Sequence, residues 1–112
     1  MPIPEKTDAY HHGNLSAALI DAALALIVDK GPDALTIREV AARARVSHAA
    51  PYRHFADKGA LMAELAKQGF DLMVAQMRRR MAAYPDDPLM QLKYCGIGYI
   101  EFALAHPAHY KA

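Results

Sequence analysis

Apolar positions recur at helical spacing along the chain, in runs that begin and end at residues typical of helix termini. The first run predicts a helix from about Leu15 to Lys30, with Asn14 as its N-cap. Gly31 is predicted to end it in the left-handed conformation, and Pro32 prevents continuation. The predicted buried stripe comprises Leu15, Leu19, Ala22, Ala23 and Leu26.

The second run predicts a short helix that opens at Thr36 and ends by Ala44. Thr36 and Glu39 have the spacing of a capping box, in which each side chain satisfies a backbone N–H of the other residue. Val46 then provides an apolar contact, and Ser47 is a suitable N-cap for another short helix, about His48 to His54.

This next segment has few apolar residues for its length. Two helical turns are not stable alone in water, so Ala50, Phe55 and part of Tyr52 must hold it against a core. Pro51 falls within the first turn, where its missing N–H costs little. The rest of the surface stays free, as in the recognition helix of a helix-turn-helix protein.

The remaining pattern predicts two longer helices. Asp57 caps one from about Lys58 to Ala83, and the Asp87-Pro88 pair opens another from about Leu89 to Ala105. His106-Pro107 ends the latter, just before a further helix begins. These runs predict an all-α protein.

The segments YHHGNL and ALTIREVAARARVSHAAPYRHFADKGALM resemble the DNA-binding domain of the TetR (tetracycline-repressor-like) family of transcriptional regulators. Residues 1–9 carry two prolines and no periodicity, so residues 1–12 are predicted to be a flexible arm. The resemblance implies a three-helix helix-turn-helix domain over 13–60. Residues 61–112 would then be the first long helices of a truncated regulatory domain, so the chain is expected to be part of a longer regulator.

That resemblance implies a specific function and partners. We expect a sequence-specific, ligand-responsive repressor that binds a palindromic double-stranded DNA operator as a homodimer. Dimer contacts would come from C-terminal helices beyond this chain, and the effector would be an unidentified small molecule. No enzymatic activity and no cofactor are expected.

Charge distribution supports a nucleic-acid partner more clearly than the total charge of +1 does. Residues 36–58 carry five basic and two acidic side chains, a net +3, so the rest of the chain is net −2. The single cysteine, Cys95, excludes an internal disulfide and fits a reducing cytoplasm. No apolar stretch is long enough to predict a membrane span.

Four residues are candidates for base contacts. Arg38 is placed to bind guanine through two hydrogen bonds, or is an ordinary surface arginine. His48, Ala49 and Ala50 occupy the first turn of the predicted recognition helix, where His48 can donate or accept and alanine offers only a methyl group to thymine. Ala50 is equally consistent with a core position.

Other side chains suit the DNA backbone. Tyr52, His54 and Lys58 match family positions that bind phosphate, although Tyr52 could also be a core aromatic with an exposed hydroxyl. Arg53 could touch either phosphate or base. The two hydroxyls at helix N-termini, on Thr36 and Ser47, complete this set.

The second half offers weaker candidates. An apolar effector pocket could use side chains that are equally typical of a plain helical core. They are Met73, Met77, Tyr94, Cys95, Tyr99 and Phe102. The Arg78-Arg79-Arg80 run lies about 30 Å along the helix from Lys58, so a solvated or subunit-contacting surface is favoured over DNA contact.

Two other functional classes remain open. A helical protein-interaction module would show no salt-dependent DNA binding. A metal or thiol enzyme would depend on Cys95 or on the His11-His12 and His106/His109 pairs, but their spacing does not favour a metal site.

Overall fold

The computed structural model describes residues 14–112, which fall into two compact units divided between Ala63 and Glu64. The predicted arm (residues 1–12) and the His11-His12 pair lie outside the described residues. Every regular element between residues 14 and 112 is a helix, which confirms the all-α prediction.

Helix α1, Leu15–Lys30, opens the first unit with Asn14 at its N-cap position, as predicted. Leu26 is only half-buried, because the stripe facing the core turns toward Ile20 and Ile27 instead. The other four predicted stripe residues are buried. They are Leu15, Leu19, Ala22 and Ala23.

Gly31 ends α1 with a positive φ, but not in the predicted left-handed helical conformation. Its angles are φ 83° and ψ 162°, and its N–H donates to Ile27 O at 2.9 Å. Pro32 explains the difference, since the residue before a proline is displaced from helical ψ toward extended values. This combination of φ and ψ is essentially restricted to glycine.

Three further helical elements follow. Helix α2 is Ile37–Ala44, a 3-10 helix covers Ala50–Arg53, and helix α3 is Lys58–Met81. Asp57 caps α3 as predicted, because its Oδ1 accepts a hydrogen bond from the Ala60 N–H at 2.8 Å. Helix α3 ends two residues before the predicted Ala83.

Every helix of the first unit contributes to its core. Leu35, in the loop after α1, and Pro51, in the 3-10 helix, are among its largest fully buried side chains. Those side chains are Leu19, Ile27, Leu35, Val40, Pro51 and Leu61. The short elements are therefore held by shared burial rather than by length.

The second unit contains the remaining helices. Helix α4, Pro88–Ala105, begins as predicted at the Asp87 cap, whose Oδ1 accepts from the Met90 N–H at 3.2 Å. Helix α5, Pro107–Lys111, follows His106, where the sequence predicted a new helix. Helices α3 and α4 approach closely at Gly98, where a Cβ atom would lie 2.8 Å from Met77 Cα.

Several large apolar side chains of α4 remain at the surface, including Leu89 and Leu104, each 79% exposed. None of the helices described is both long and apolar enough to cross a membrane.

Two glycines allow the effect of backbone conformation to be separated from that of space. A Cβ atom at Gly31 or at Gly96 would meet nothing within 4 Å, but only Gly31 has a positive φ. We expect Gly31→Ala to lower the free energy of unfolding by about 1–3 kcal/mol, since alanine is strained in this region. Chemical denaturation monitored by circular dichroism measures the change.

Gly96→Ala is the matched control within helix α4. Alanine should stabilise an exposed helical position by about 1 kcal/mol relative to glycine. Equal effects of the two substitutions would contradict the assigned conformation of Gly31.

Candidate nucleic-acid interface

The N-terminus of α2 is fixed by a side-chain network around Glu39. Thr36 Oγ1 accepts from the Glu39 N–H at 3.1 Å, as the capping box predicted. The second half of the prediction is corrected: Glu39 Oε1 accepts from the Thr36 hydroxyl at 3.1 Å, while Oε2 pairs with Lys30. Lys30 at the end of α1 draws the carboxylate away from the Thr36 amide, and its hydrogen bond is the main cause of the lowered pKa of Glu39.

The C-terminus of α2 ends in a Schellman motif, which the sequence analysis did not identify. The Val46 N–H donates to Ala41 O at 3.0 Å, and the Arg45 N–H donates to Ala42 O at 3.2 Å. Arg45 adopts the left-handed conformation that this motif requires, with φ 62° and ψ 44°. Glycine usually occupies this position, and a residue with a Cβ atom costs about 1–2 kcal/mol there.

The predicted α-helix from His48 to His54 is wrong in form. The chain instead makes a turn at His48 and Ala49 and then a single 3-10 helix. Its bonds join residues three apart: the Tyr52 N–H donates to Ala49 O at 3.2 Å, and the His54 N–H donates to Pro51 O at 3.0 Å. Pro51 explains the change, because it has no N–H and disfavours the α conformation at the residue before it.

This segment, residues 48–54, is nevertheless divided between a buried and an exposed side. Ala50 is 5% exposed and lies in the core with Pro51 and Phe55, as the second of its two predicted roles requires. Its methyl group is therefore not presented to a base. The remaining side chains are exposed, and Tyr52 retains 57% of its surface. The exposed residues are His48, Ala49, Tyr52, Arg53 and His54.

The basic side chains near this segment differ in whether they have a partner. Arg43 lies 3.5 Å from Asp29 Oδ2, and Lys58 Nζ donates to Asp33 O at 3.2 Å. Arg38, Arg45 and Arg53 are exposed, and within residues 14–112 they form no hydrogen bond or ion pair. As far as residues 14–112 are concerned, these three guanidinium groups therefore keep all their N–H donors available.

Arginine residues 78–80 in the second unit have different surroundings from one another. Arg80 Nε lies 3.0 Å from Glu101 Oε1, and its guanidinium lies 5.2 Å from the ring centre of Tyr94. Tyr94 in turn stacks on Tyr84 with 4.8 Å between ring centres. Arg80 thus joins α3 to α4, whereas Arg78 and Arg79 are exposed.

An open apolar cleft of about 320 Å³ lies in the second unit. Three of the six predicted pocket residues line it, namely Met73, Tyr99 and Phe102. The other three do not: Tyr94 contacts Arg80 and Tyr84 instead, and neither Met77 nor Cys95 lines the cleft. Sequence spacing alone could not separate the two sets, because it does not specify where α5 packs.

Helix α5 contributes polar atoms to this cleft. His109 Nε2 lies 3.2 Å from Gln68 Oε1, and burial, followed by the nearby His106, lowers the pKa of His109. A hydrogen bond with Tyr110 raises the pKa of Tyr99. No group of three potential metal ligands occurs among the residues described.

Comparison with known proteins gives the first unit a family. Residues 19–65 match the family model described as bacterial regulatory proteins, tetR family. These residues belong to the tetR family. The match includes α2, the 3-10 helix and the start of α3, which are the elements that present the exposed side chains described above.

Curated relatives of this tetR segment are named as transcriptional regulators. The chain is 42% identical over 48 residues to the HTH-type transcriptional repressor Rv3405c of Mycobacterium tuberculosis and, equally, to the HTH-type transcriptional regulator Mb3439c of Mycobacterium bovis. The similar segment spans 43% of this chain but only 26% of each relative.

A solved structure extends the likeness in fold beyond the tetR segment. It is a protein from Lactobacillus plantarum described as a candidate transcription regulator, with a TM-score of 0.64 and 20% sequence identity. The superposition covers 83% of this chain and 52% of that protein, so this chain corresponds to about half of its length.

The interaction of Glu39 with Lys30 gives the tetR segment a defined response to acid. Because folding lowers the pKa of Glu39, its ionised form stabilises the folded state above the unfolded pKa, near 4.5. This contribution is lost as the pH falls through the lower folded pKa. We expect Glu39→Gln to destabilise the protein at pH 7, by an amount that shrinks as the pH falls below the unfolded pKa.

Urea unfolding of both proteins across pH 3–7 measures this difference. Asp71→Asn is the control, since Asp71 forms an exposed ion pair with Lys67 within α3 and no hydrogen bond to the capping box. A pH-independent difference between wild type and Glu39→Gln would contradict the lowered pKa.

Proposed function

We propose that this protein is a transcription regulator that binds duplex DNA through the exposed side of residues 48–54. The observation that carries the proposal is the division of that segment. Ala50, Pro51 and Phe55 are buried, while Tyr52 and His54 remain at the surface. A rigid, outward-facing short element at this position is the arrangement through which helix-turn-helix proteins reach the major groove.

The charges of the first unit support the same proposal. Arg38 and Arg53, which have no ion-pair partner among residues 14–112, can donate to DNA without first breaking a pair with any of them. Arginine forms two parallel hydrogen bonds with guanine or with phosphate. We assign base reading to Arg38, His48 and Ala49, and we leave Arg53 with either role.

Phosphate binding is assigned to side chains around the same surface. Tyr52 and His54 are exposed, and Lys58 keeps two ammonium hydrogens for DNA besides the one that binds Asp33 O. The hydroxyls of Thr36 and Ser47 lie at the starts of α2 and of the turn that leads into the 3-10 helix. The single O–H of Thr36 already donates to Glu39 Oε1 and would have to leave it to donate to a phosphate oxygen, so its part is the weakest of these.

A selection of duplexes from a random pool by the full-length protein tests the proposal. We expect a defined motif, together with affinity that falls as salt increases. Arg38→Ala should relax the preference at one position by about 1–3 kcal/mol, whereas Tyr52→Ala should weaken all sequences similarly. Fluorescence anisotropy with selected and scrambled duplexes separates the two effects.

Tyr110→Ala is the matched control for Tyr52→Ala. The two tyrosines are similarly exposed, at 55% and 57%, but Tyr110 lies in the second unit. Recovery of no motif by the wild-type protein, or equal loss of affinity in both tyrosine variants, would contradict the proposal. A protein-interaction module that does not bind DNA would recover no motif.

We further propose that the regulator is a ligand-responsive repressor that acts as a homodimer on a palindromic operator. The apolar cleft supports the ligand response, because Met73, Tyr99 and Phe102 offer adaptable and aromatic surface. The homodimer and the palindrome follow from the family resemblance, in which two copies of the domain read two half-sites.

The cleft can be tested by screening small aromatic and aliphatic compounds for release of bound duplex. A releasing compound should lose at least several-fold in potency with Met73→Ala, because truncation removes apolar contact surface. Cys95→Ala is the control, since Cys95 does not line the cleft. Equal potency against both variants would place the effector elsewhere.

A further inference from the structure

The turn between α2 and the 3-10 helix holds an arginine in a conformation that does not suit it. The Schellman motif at residues 41–46 requires a positive φ at Arg45, and φ is 62° there. A glycine would satisfy the same backbone hydrogen bonds without crowding a Cβ atom. Nothing about the fold of this turn therefore calls for an arginine.

The side chain of Arg45 does not offset this cost inside the protein. It is exposed, and within residues 14–112 it has no carboxylate, carbonyl or aromatic partner. Arg43, two residues earlier on α2, differs in pairing with Asp29 at 3.5 Å. Arg45 thus carries its charge on a hydrogen-bonded turn, with five N–H donors that no group in the described part of the chain occupies.

The place of Arg45 in the chain limits what it can reach. It lies just before Val46 and the exposed Ser47, and it precedes His48 and Ala49, the turn residues that are assigned to bases. We propose that Arg45 binds a DNA phosphate and so fixes the orientation of the 3-10 helix on the duplex. This proposal rests on the proposed function. A phosphate contact positions the protein and carries no sequence information of its own.

Stability and DNA affinity should therefore change in opposite directions in one variant. Arg45→Gly relieves the strained backbone, and we expect its unfolding temperature to rise by roughly 4–8 °C in a domain of this size. Its affinity should nevertheless fall for every duplex. One lost phosphate contact makes the ratio of variant to wild-type Kd about 3–4-fold larger at 50 mM than at 200 mM salt.

Two variants that keep the Cβ atom separate charge from backbone strain. Arg45→Gln should bind as weakly as Arg45→Gly without the gain in stability, and Arg45→Lys should retain the salt dependence of the wild type. Arg43→Ala is the control for general loss of positive charge, and it should change the salt dependence less than Arg45→Gln does, because Arg43 is already paired.

The outcomes distinguish this inference from the proposed function. A wild-type protein without salt-dependent duplex binding would overturn the proposed function and, with it, the role of Arg45. Wild-type binding with an unchanged salt dependence in Arg45→Gln would overturn only the role of Arg45. A changed sequence preference in that variant would also overturn it, in favour of base contact.

Discussion

The first unit depends on the burial of one side of a segment that is too short to be stable alone. Ala50, Pro51 and Phe55 supply that burial, and they do so within a single 3-10 turn and the residue pair after it. A helix of this length gains almost nothing from its own hydrogen bonds, because the cost of fixing the first turn exceeds the return. Its orientation is therefore set by the core of α1, α2 and α3.

Helix α2, which precedes this short segment, is held by hydrogen bonds at both of its ends. The cap formed by Thr36 and Glu39 holds the N-terminus, and the Schellman motif at Arg45 holds the C-terminus. The salt bridge from Lys30 and the pair between Asp29 and Arg43 tie α2 to α1 as well. Helix α2 is thus fixed at both of its ends, one of which leads into the turn before the exposed segment.

The sequence was sufficient to predict the longer elements, because their limits are set by local chemistry. Asp57 and Asp87 each mark a helix start through a side-chain oxygen that accepts from a backbone N–H, and Asn14 occupies the N-cap position of α1. The α1 stripe was mostly predicted as well, apart from Leu26. The predictions that failed were those that a nearby proline altered. Pro32 changed the conformation of Gly31, and Pro51 shortened the second helix of the motif to one turn.

No local sequence pattern could predict the contacts between residues that lie far apart in the chain. The interaction of Arg80 with Glu101 and Tyr94, and the packing of His109 near Gly69, depend on how helices meet. Arg45 is an intermediate case. Its neighbours had the pattern of a Schellman motif, with the helix ending at Ala44 and apolar Val46 two residues later, but the absence of glycine concealed it.

The carbonyl of Pro51 accepts two hydrogen bonds, from the His54 N–H at 3.0 Å and from the Phe55 N–H at 2.9 Å. One oxygen atom therefore ties a surface residue and a core residue to the same point. A change in the volume around Phe55 would move this anchor and, with it, the imidazole of the adjacent His54. Variation in the hydrophobic interior would in this way displace the phosphate contact proposed for His54 and alter affinity for every duplex alike, while each residue proposed to meet the DNA stays the same.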